Sequence, residues 1–216
     1  MSPVSDVRAE WLTIAGDPVA WRSIGLTVGD DGLIPLLGTS LRLVSEPDAN
    51  EEGSGVVAWA LSGLGETGAM SIDGLRTEPV ERLEPVFASH PLGASSLDHV
   101  VVLTPDLERT SAAIMESTGS DLRRIRELGQ MRQGFHRMGE RGSGALIVEL
   151  VERPDIPEGP AAFWGVVLIV DDLDAAFEQI GPDRISPPKD AVQPGRRIAT
   201  VRADVGLGLP VALMTP

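Results

Sequence analysis

One plan of a strand, a turn and a helix recurs along this chain, and it is clearest at residues 97–119, LDHVVVLTPDLERTSAAIMESTG. The near-continuous apolar residues 100–103 are typical of a strand that is buried on both faces. Thr104 is predicted to be the helix N-cap, with Pro105 at the first helical position and Gly119 as the C-terminal stop. The segment therefore predicts a buried strand, with His99 inside it, followed by an amphipathic helix.

A second copy of the plan starts at residue 163, FWGVVLIVDDLDAAFEQIG. The two copies align without gaps over the strand and the start of the helix, where His99 lies over Gly165 at an offset of 66 positions. Their closing strands, GALIVELVE and GLPVALMTP, align as well, with Glu149 over Leu213. Agreement in the strand, cap, helix and closing strand indicates an internal duplication.

The first part of the chain carries the plan in a shorter form. Residues 11–15 are predicted to form a strand, and Asp17 and Pro18 start a short helix. Several short apolar runs follow, the last of them at residues 56–62, which indicates strands that close the unit. The fold class is thus α+β, built from repeated βαβββ units. We divide the chain into an N-terminal half-unit, 1–75, a linker, 76–95, and a pair of units, 96–216.

The charge balance and the lack of cysteine narrow the possible partners. The 18 Lys and Arg against 32 Asp and Glu give a formal net charge of −14, which repels nucleic acid and anionic membranes and suits a neutral or cationic small molecule. Without cysteine there is no disulfide, thiolate nucleophile or cysteine-ligated metal. The N-terminal residues do not resemble a secretory signal, and the longest apolar run, 166–170, is too short to span a bilayer. We therefore expect a cytoplasmic protein.

Paired units that open with LDHVVV and close with VELVE resemble the vicinal oxygen chelate superfamily, which includes glyoxalase I, extradiol dioxygenases and bleomycin resistance proteins. The resemblance implies that the paired units form curled mixed sheets around an open cup, the glyoxalase/bleomycin resistance/dioxygenase fold. It also implies a divalent metal (Fe, Mn, Zn or Ni) in the cup of the enzymes. Its ligands would come from the first and last strands of each unit.

Carried onto this sequence, the resemblance provides only half of a metal site. His99 on the first strand and Glu149 on the last strand of the second unit match ligand positions, whereas Gly165 and Leu213 in the third unit cannot bind a metal. His136 is the best substitute for a third ligand, on a strand that we expect to face the cup. His99 and Glu149 are therefore either metal ligands or a hydrogen-bonded pair that acts in acid–base chemistry without a metal.

Other side chains are candidates for direct contact with a ligand. Arg137, expected on the strand face opposite to that histidine, could hold a carboxylate or phosphate through two parallel hydrogen bonds. Arg197, or its neighbour Arg196, could do the same from the third unit. Phe163 and Trp164 stand at the start of the third unit, where their rings could stack on a ring-bearing ligand.

Two hypotheses about function follow from these residues. In the first, the protein binds a small organic molecule in the cup without a complete metal site, and so resembles the bleomycin resistance branch. In the second, it is a divalent-metal-dependent lyase, isomerase or dioxygenase with a rearranged site that uses His99, Glu149 and His136. In either case the odd N-terminal half-unit would expose an apolar sheet face, so we expect it to pair with the same unit of a second copy in a homodimer, or to pack across the pair of units.

Overall fold

The computed structural model describes residues 6–44, 55–65, 68–140 and 145–216. Within these residues the chain forms two mixed β-sheets, three α-helices and a single 3₁₀ turn at Ala203–Val205. None of the described helices is long and apolar enough to cross a membrane. The N-terminal elements are β1 (Arg8–Ala15), α1 (Pro18–Ser23), β2 (Leu33–Ile34), β3 (Ser40–Val44), β4 (Val56–Ser62), β5 (Met70–Ile72) and β6 (Leu75–Val80). The C-terminal elements are β7 (Ala94–Leu103), α2 (Leu107–Thr118), β8 (Arg124–Leu128), β9 (Met131–Met138), β10 (Leu146–Glu152), β11 (Ala162–Val170), α3 (Leu173–Ile180), β12 (Lys189–Asp190), β13 (Arg197–Thr200) and β14 (Val211–Met214).

The C-terminal sheet confirms the predicted pair of units. Its eight strands lie in the order β12-β13-β14-β11-β7-β10-β9-β8. In each unit the first strand pairs in parallel with the last, β7 with β10 and β11 with β14. The helix after the first strand crosses to the outer edge of the unit, at β8 or β12, and the remaining strands return to the first. The two first strands, β7 and β11, pair antiparallel at the centre and join the units into one open sheet. The fold class is α+β, as predicted.

The helix caps follow the predicted plan with one shift. α2 begins at Leu107 with Asp106 as its N-cap, so the predicted N-cap at Thr104 is wrong by two residues. The Asp106 carboxylate accepts a hydrogen bond from the Arg109 amide at 2.9 Å, and Thr104 instead accepts one from the Asp106 amide at 3.1 Å. Gly119 ends the helix in the left-handed conformation (φ 68°), which glycine adopts without steric cost.

The N-terminal sheet is a second, smaller pair of units rather than a half-unit. Its six strands lie in the order β2-β3-β1-β4-β6-β5. β1 pairs in parallel with β3, β4 pairs in parallel with β6, and β1 and β4 pair antiparallel. β4 therefore opens a second unit instead of closing the first, and the described residues of that unit form no helix. β6 extends into the stretch predicted as a linker. Because each half has its mate within the chain, the argument for a homodimer through an unpaired half loses its basis, and the homodimer stays a prediction.

The two sheets are joined by a shared apolar core. The ring of Trp59 on β4 meets the ring of Phe163 on β11 edge-on, with the centroids 5.3 Å apart. The Trp21 indole donates to the Leu207 carbonyl at 3.2 Å. At the tip of the β5–β6 turn, Asp73 forms an ion pair with Arg109 of α2 at 2.9 Å. These contacts fix the N-terminal sheet against the helix side of the C-terminal sheet and leave the opposite face of β7, β9 and β10 only partly covered.

Candidate functional site

The two faces of the C-terminal sheet differ in burial. Side chains alternate along each strand, and on β9 and β10 one set packs in the core while most of the other set stays half-exposed. On β7, in the middle of the same face, His99 and Val101 are each 8% exposed. We call the half-exposed side the cup face. Strand register places its members in two rows across the sheet. The first row is Arg137, Ile147, His99, Val167 and Ala212. The second row is Arg124, Phe135, Glu149, Val101 and Gly165.

A β-bulge at Asp98 shapes the centre of the cup face. His99 lies opposite Val167 and Leu97 lies opposite Leu168, so Asp98 is an extra residue in β7. A bulge re-aims neighbouring side chains, and here the Asp98 carboxylate reaches the imidazole of His99. The bulge also turns Leu97 into the core, where it is 1% exposed. Simple alternation predicts that Leu97 and His99 lie on the same face, but the bulge places them on opposite faces.

Five side chains form one polar network on the cup face. Arg196 donates to Asp98 at 3.0 Å, and Asp98 lies 2.7 Å from Nδ1 of His99. Nε2 of His99 lies 3.3 Å from the Glu149 carboxylate, and the Gln133 amide donates to the other oxygen of that carboxylate. Because an ionised carboxylate only accepts hydrogen bonds, Asp98 holds the proton of His99 on Nδ1. Nε2 of His99 then faces the Glu149 carboxylate as the ring nitrogen that Asp98 does not engage.

The surroundings shift the pKa values of the two acids in opposite directions. Burial raises the pKa of Asp98, but the hydrogen bond and charge of His99, together with the charge and hydrogen bond of Arg196, outweigh it and hold that pKa below its usual value. Burial raises the pKa of Glu149, and here burial prevails over the charges of His99 and Arg126 and the hydrogen bond of Gln133. Two carboxyl groups with opposite shifts beside one imidazole are an arrangement suited to acid–base chemistry.

His136 does not belong to this site, so its prediction as a third metal ligand is wrong. It lies opposite Val148, on the core face, and is fully buried. Its Nδ1 lies 2.8 Å from the Ser120 carbonyl, and its Nε2 lies 3.0 Å from the Ser111 hydroxyl. Burial lowers its pKa. Both ring nitrogens are engaged in the core, and it is Arg137, the next residue, that faces the cup.

The remaining candidates also separate by face. Arg197 points away from the network and forms an exposed ion pair with Asp174 of α3 at 2.7 Å, whereas Arg196 belongs to the network. Phe163 lies opposite Val102 on the core face and packs against Trp59, so its predicted ligand stacking is replaced by core packing. Trp164 is the extra residue of a second bulge and is 43% exposed. A ligand contact by Trp164 stays a prediction.

The opposite wall of the cup is apolar. On β11 and β14 the cup positions are Gly165, Val167, Ala212 and Met214. Leu213, which the sequence aligned with Glu149, is fully buried on the core face instead. Either way β11 and β14, both fully described, place no His, Asp or Glu side chain on the cup face. Val167, Ala212 and Met214 of this wall belong to one apolar cluster, whose other members are Ile169, Ala191 and Ile198.

The side chains of the site fit one half of a divalent-metal centre. His99 and Glu149 are close enough to share an ion, and Asp98 orients the imidazole as carboxylates do behind metal-bound histidines. The side-chain carbonyl oxygen of Gln133, Oε1, is buried and has no hydrogen-bond partner. Across residues 6–44, 55–65, 68–140 and 145–216, however, no group of three His, Cys, Asp or Glu side chains is arranged to hold a metal. A full set of four protein ligands does not fit.

Sequence reasoning missed Asp98 and Gln133. Asp98 directly precedes His99, so strand alternation predicts that it faces the other way, and only the bulge brings the two together. Gln133 lies on β9, two residues from Phe135, which pairs with Glu149. Its position would have required the register of β9 against β10, which the sequence does not specify.

Comparison with known proteins supports the fold. No protein-family model and no curated protein matches the chain. A triple variant of 4-hydroxymandelate synthase from Streptomyces coelicolor superposes with a TM-score of 0.60 over 99% of this chain and 93% of that chain, at 13% sequence identity. The chain has the vicinal oxygen chelate fold. The match with the synthase extends over both sheets, in agreement with two pairs of units in one chain.

Smaller proteins are similar to part of the chain. A variant methylmalonyl-CoA epimerase from Streptomyces coelicolor, in complex with 2-nitronate-propionyl-CoA, covers 56% of this chain and 97% of its own, with 18% identity and a TM-score of 0.47. The epimerase from Mycobacterium tuberculosis covers 57% of this chain and 89% of its own, with 17% identity and a TM-score of 0.48.

Proposed function

We propose that this protein binds a small organic molecule in the cup of the C-terminal sheet, without a complete metal site. The observation that carries the proposal is the pairing of two unlike walls on one face of the sheet, a partly exposed polar wall and a largely buried apolar wall. On one wall, Asp98 is hydrogen-bonded to His99, and the other ring nitrogen of His99 lies 3.3 Å from the Glu149 carboxylate. On the other, Val167 and Met214 belong to an apolar cluster. Ligand sites of this kind combine apolar lining with a few placed polar groups.

The network offers a ligand both an acceptor and a pair of groups that can exchange a proton. The Gln133 carbonyl oxygen is buried without a partner, and an unpaired buried polar group costs about 1–3 kcal/mol. A ligand N–H or O–H that reaches this oxygen removes that cost. Since Asp98 engages Nδ1 of His99, Nε2 and the Glu149 carboxylate are the two groups left to exchange a proton with a ligand. The pair is thus placed to hydrogen-bond a polar ligand group or to move a proton at it.

Ligand screening in the presence of a chelator tests the proposal. We expect small molecules from a metabolite library to raise the melting temperature of the wild-type protein with EDTA present. Ala212→Phe fills the apolar wall and should abolish the response, whereas Ala203→Phe, at an exposed position of the 3₁₀ turn, should keep it. If no compound stabilises the wild type, or if Ala212→Phe responds like the wild type, the proposal is wrong.

A divalent-metal-dependent enzyme is the second candidate, and the unpartnered carbonyl of Gln133 beside the oriented imidazole favours it. His99 Nε2, the Glu149 carboxylate and the Gln133 carbonyl would hold the ion on one side. A bound divalent metal would polarise oxygen atoms of the substrate. The absence of donors from β11 and β14 places this candidate second.

A further inference from the structure

The charge of the cup is opposite to the charge of the whole protein. The chain carries a formal net charge of −14. On the cup face, however, three arginines lie on β8 and β9, at the edge of the sheet beyond the polar network. Arg124 lies opposite Phe135, and Arg126 lies opposite Gln133. Arg137 lies opposite Ile147 on the neighbouring strand. Arg124 therefore lies about 7 Å from Arg126, two residues along its strand, and about 7 Å from Arg137, which is diagonal to it across the strand pair. Long side chains from the other two positions can reach a ligand group placed beside Arg124.

These three arginines form no ion pair with any residue in the described part of the chain. Arg126 is placed 5.9 Å from the ring centroid of Phe135. Arg132 provides the contrast, because it belongs to the same β8–β9 hairpin and pairs with two carboxylates, Glu108 and Glu152. Acidic side chains are therefore available to this hairpin, but they pair with Arg132, which does not face the cup, and not with the three arginines of the cup face.

The two acids of the cup are already engaged. Asp98 pairs with Arg196 and His99, and Glu149 meets His99 and Gln133. The charge of Arg126 also acts on Glu149, whereas Arg124 and Arg137 form no ion pair within the described residues, so their charge is left uncompensated. A concave site with one sign of charge concentrates ligands of the opposite sign, and a guanidinium matches a carboxylate or phosphate through paired hydrogen bonds.

We propose that the cup selects an organic anion whose carboxylate or phosphate is held by Arg124, Arg126 and Arg137. The rest of the anion then lies across Phe135 toward the apolar wall. This inference rests on the proposed function and replaces the neutral or cationic ligand that the net charge suggested. A small anion suits the site better than a nucleic acid, because the rest of the surface repels a polyanion.

Four matched probes test the charge preference in the metal-free protein: phenylacetate, phenyl phosphate, phenylacetamide and phenethylamine. Their dissociation constants are measured by ¹H–¹⁵N NMR titration at low salt with EDTA present. We expect at least one of the two acids to bind about tenfold or more tightly than the amide and the amine, since charge-assisted hydrogen bonds are worth that much. The stronger of the two acids identifies the headgroup as a carboxylate or a phosphate.

Arginine variants locate the preference. Arg137→Gln, or Arg124→Gln if the first variant folds poorly, should weaken binding of the preferred acid about tenfold and leave the amide unchanged. Arg202→Gln removes the same charge at an exposed position outside the C-terminal strands and should change neither. An equal loss in Arg202→Gln would overturn the proposal. If all four probes bind alike, the anion inference fails and the small-molecule site stands; if none perturbs the cup resonances, both fail.

Discussion

Replacing Glu149 by glutamine should change how stability depends on pH. The pKa of Glu149 is raised, chiefly by burial, so its charged form is disfavoured in the folded protein. Above its usual value of 4.5, the unfolded chain releases this proton while the folded protein still holds it. Folding stability from this group is therefore full below that value and is lost as pH rises toward the folded pKa. The glutamine side chain of Glu149→Gln does not titrate, so the variant should not show this decrease in stability.

The size of the effect follows from the burial of the side chain, which is 13% exposed and therefore little screened by solvent. In the window where the folded protein binds one proton more, the free energy of unfolding falls by at most about 1.4 kcal/mol per pH unit. For a protein of this size, 1 kcal/mol corresponds to about 2–4 °C in melting temperature. The melting temperature of Glu149→Gln minus that of the wild type should thus increase by a few degrees as pH rises from 4.5.

Urea unfolding from pH 4 to pH 8 measures this difference directly. Glu178→Gln is the matched control, because Glu178 is an exposed residue of α3 and its substitution should give a flat difference from the wild type. The reasoning is refuted if the Glu149→Gln difference is as flat as that of the control. It is equally refuted if the wild type gains stability relative to Glu149→Gln as pH rises.

Two further substitutions test the packing and the network. Phe163→Ala should lower the free energy of unfolding by about 3–5 kcal/mol in urea titrations, because it leaves a cavity against Trp59; a loss below about 1 kcal/mol would contradict core packing. Arg196→Gln should cost about 2 kcal/mol, since it removes a charge-assisted hydrogen bond to Asp98 in a site that is about four-fifths buried. Arg197→Gln breaks only an exposed pair, which solvent screens, and should leave the free energy of unfolding close to that of the wild type. Equal losses in the two arginine variants would remove Arg196 from the network.

The sequence predicted the C-terminal architecture because its local signals agree with one another. The apolar strands, the caps before α2 and α3 and the glycines after them all indicate the same repeated unit, and the sheet order confirms it. The N-terminal sheet was predicted less well, because the described residues of its second unit form no helix. Without that signal, β4 was assigned to the end of one unit, although it pairs antiparallel with β1 and starts another.

The site was harder to predict because it depends on which way each side chain points. A shift of one residue moves a strand side chain to the other face. β9 has no clean alternation of apolar and polar residues, and so His136 and Arg137 were assigned to each other's faces. The bulge at Asp98 had the same consequence on β7, since it moved Leu97 into the core and brought Asp98 to His99. The pairing of His99 with Glu149 needed only the parallel register of β7 and β10.

Metal analysis tests the central claim, that the cup operates with half of a metal site, most directly. The protein is purified without an affinity tag, dialysed in turn against excess Fe²⁺, Mn²⁺, Zn²⁺ and Ni²⁺, desalted, and measured by elemental mass spectrometry beside His99→Ala. The account predicts far less than one metal ion per chain, with no difference between the two proteins. Near-stoichiometric metal that disappears in His99→Ala would contradict it and would establish a metal-dependent enzyme site.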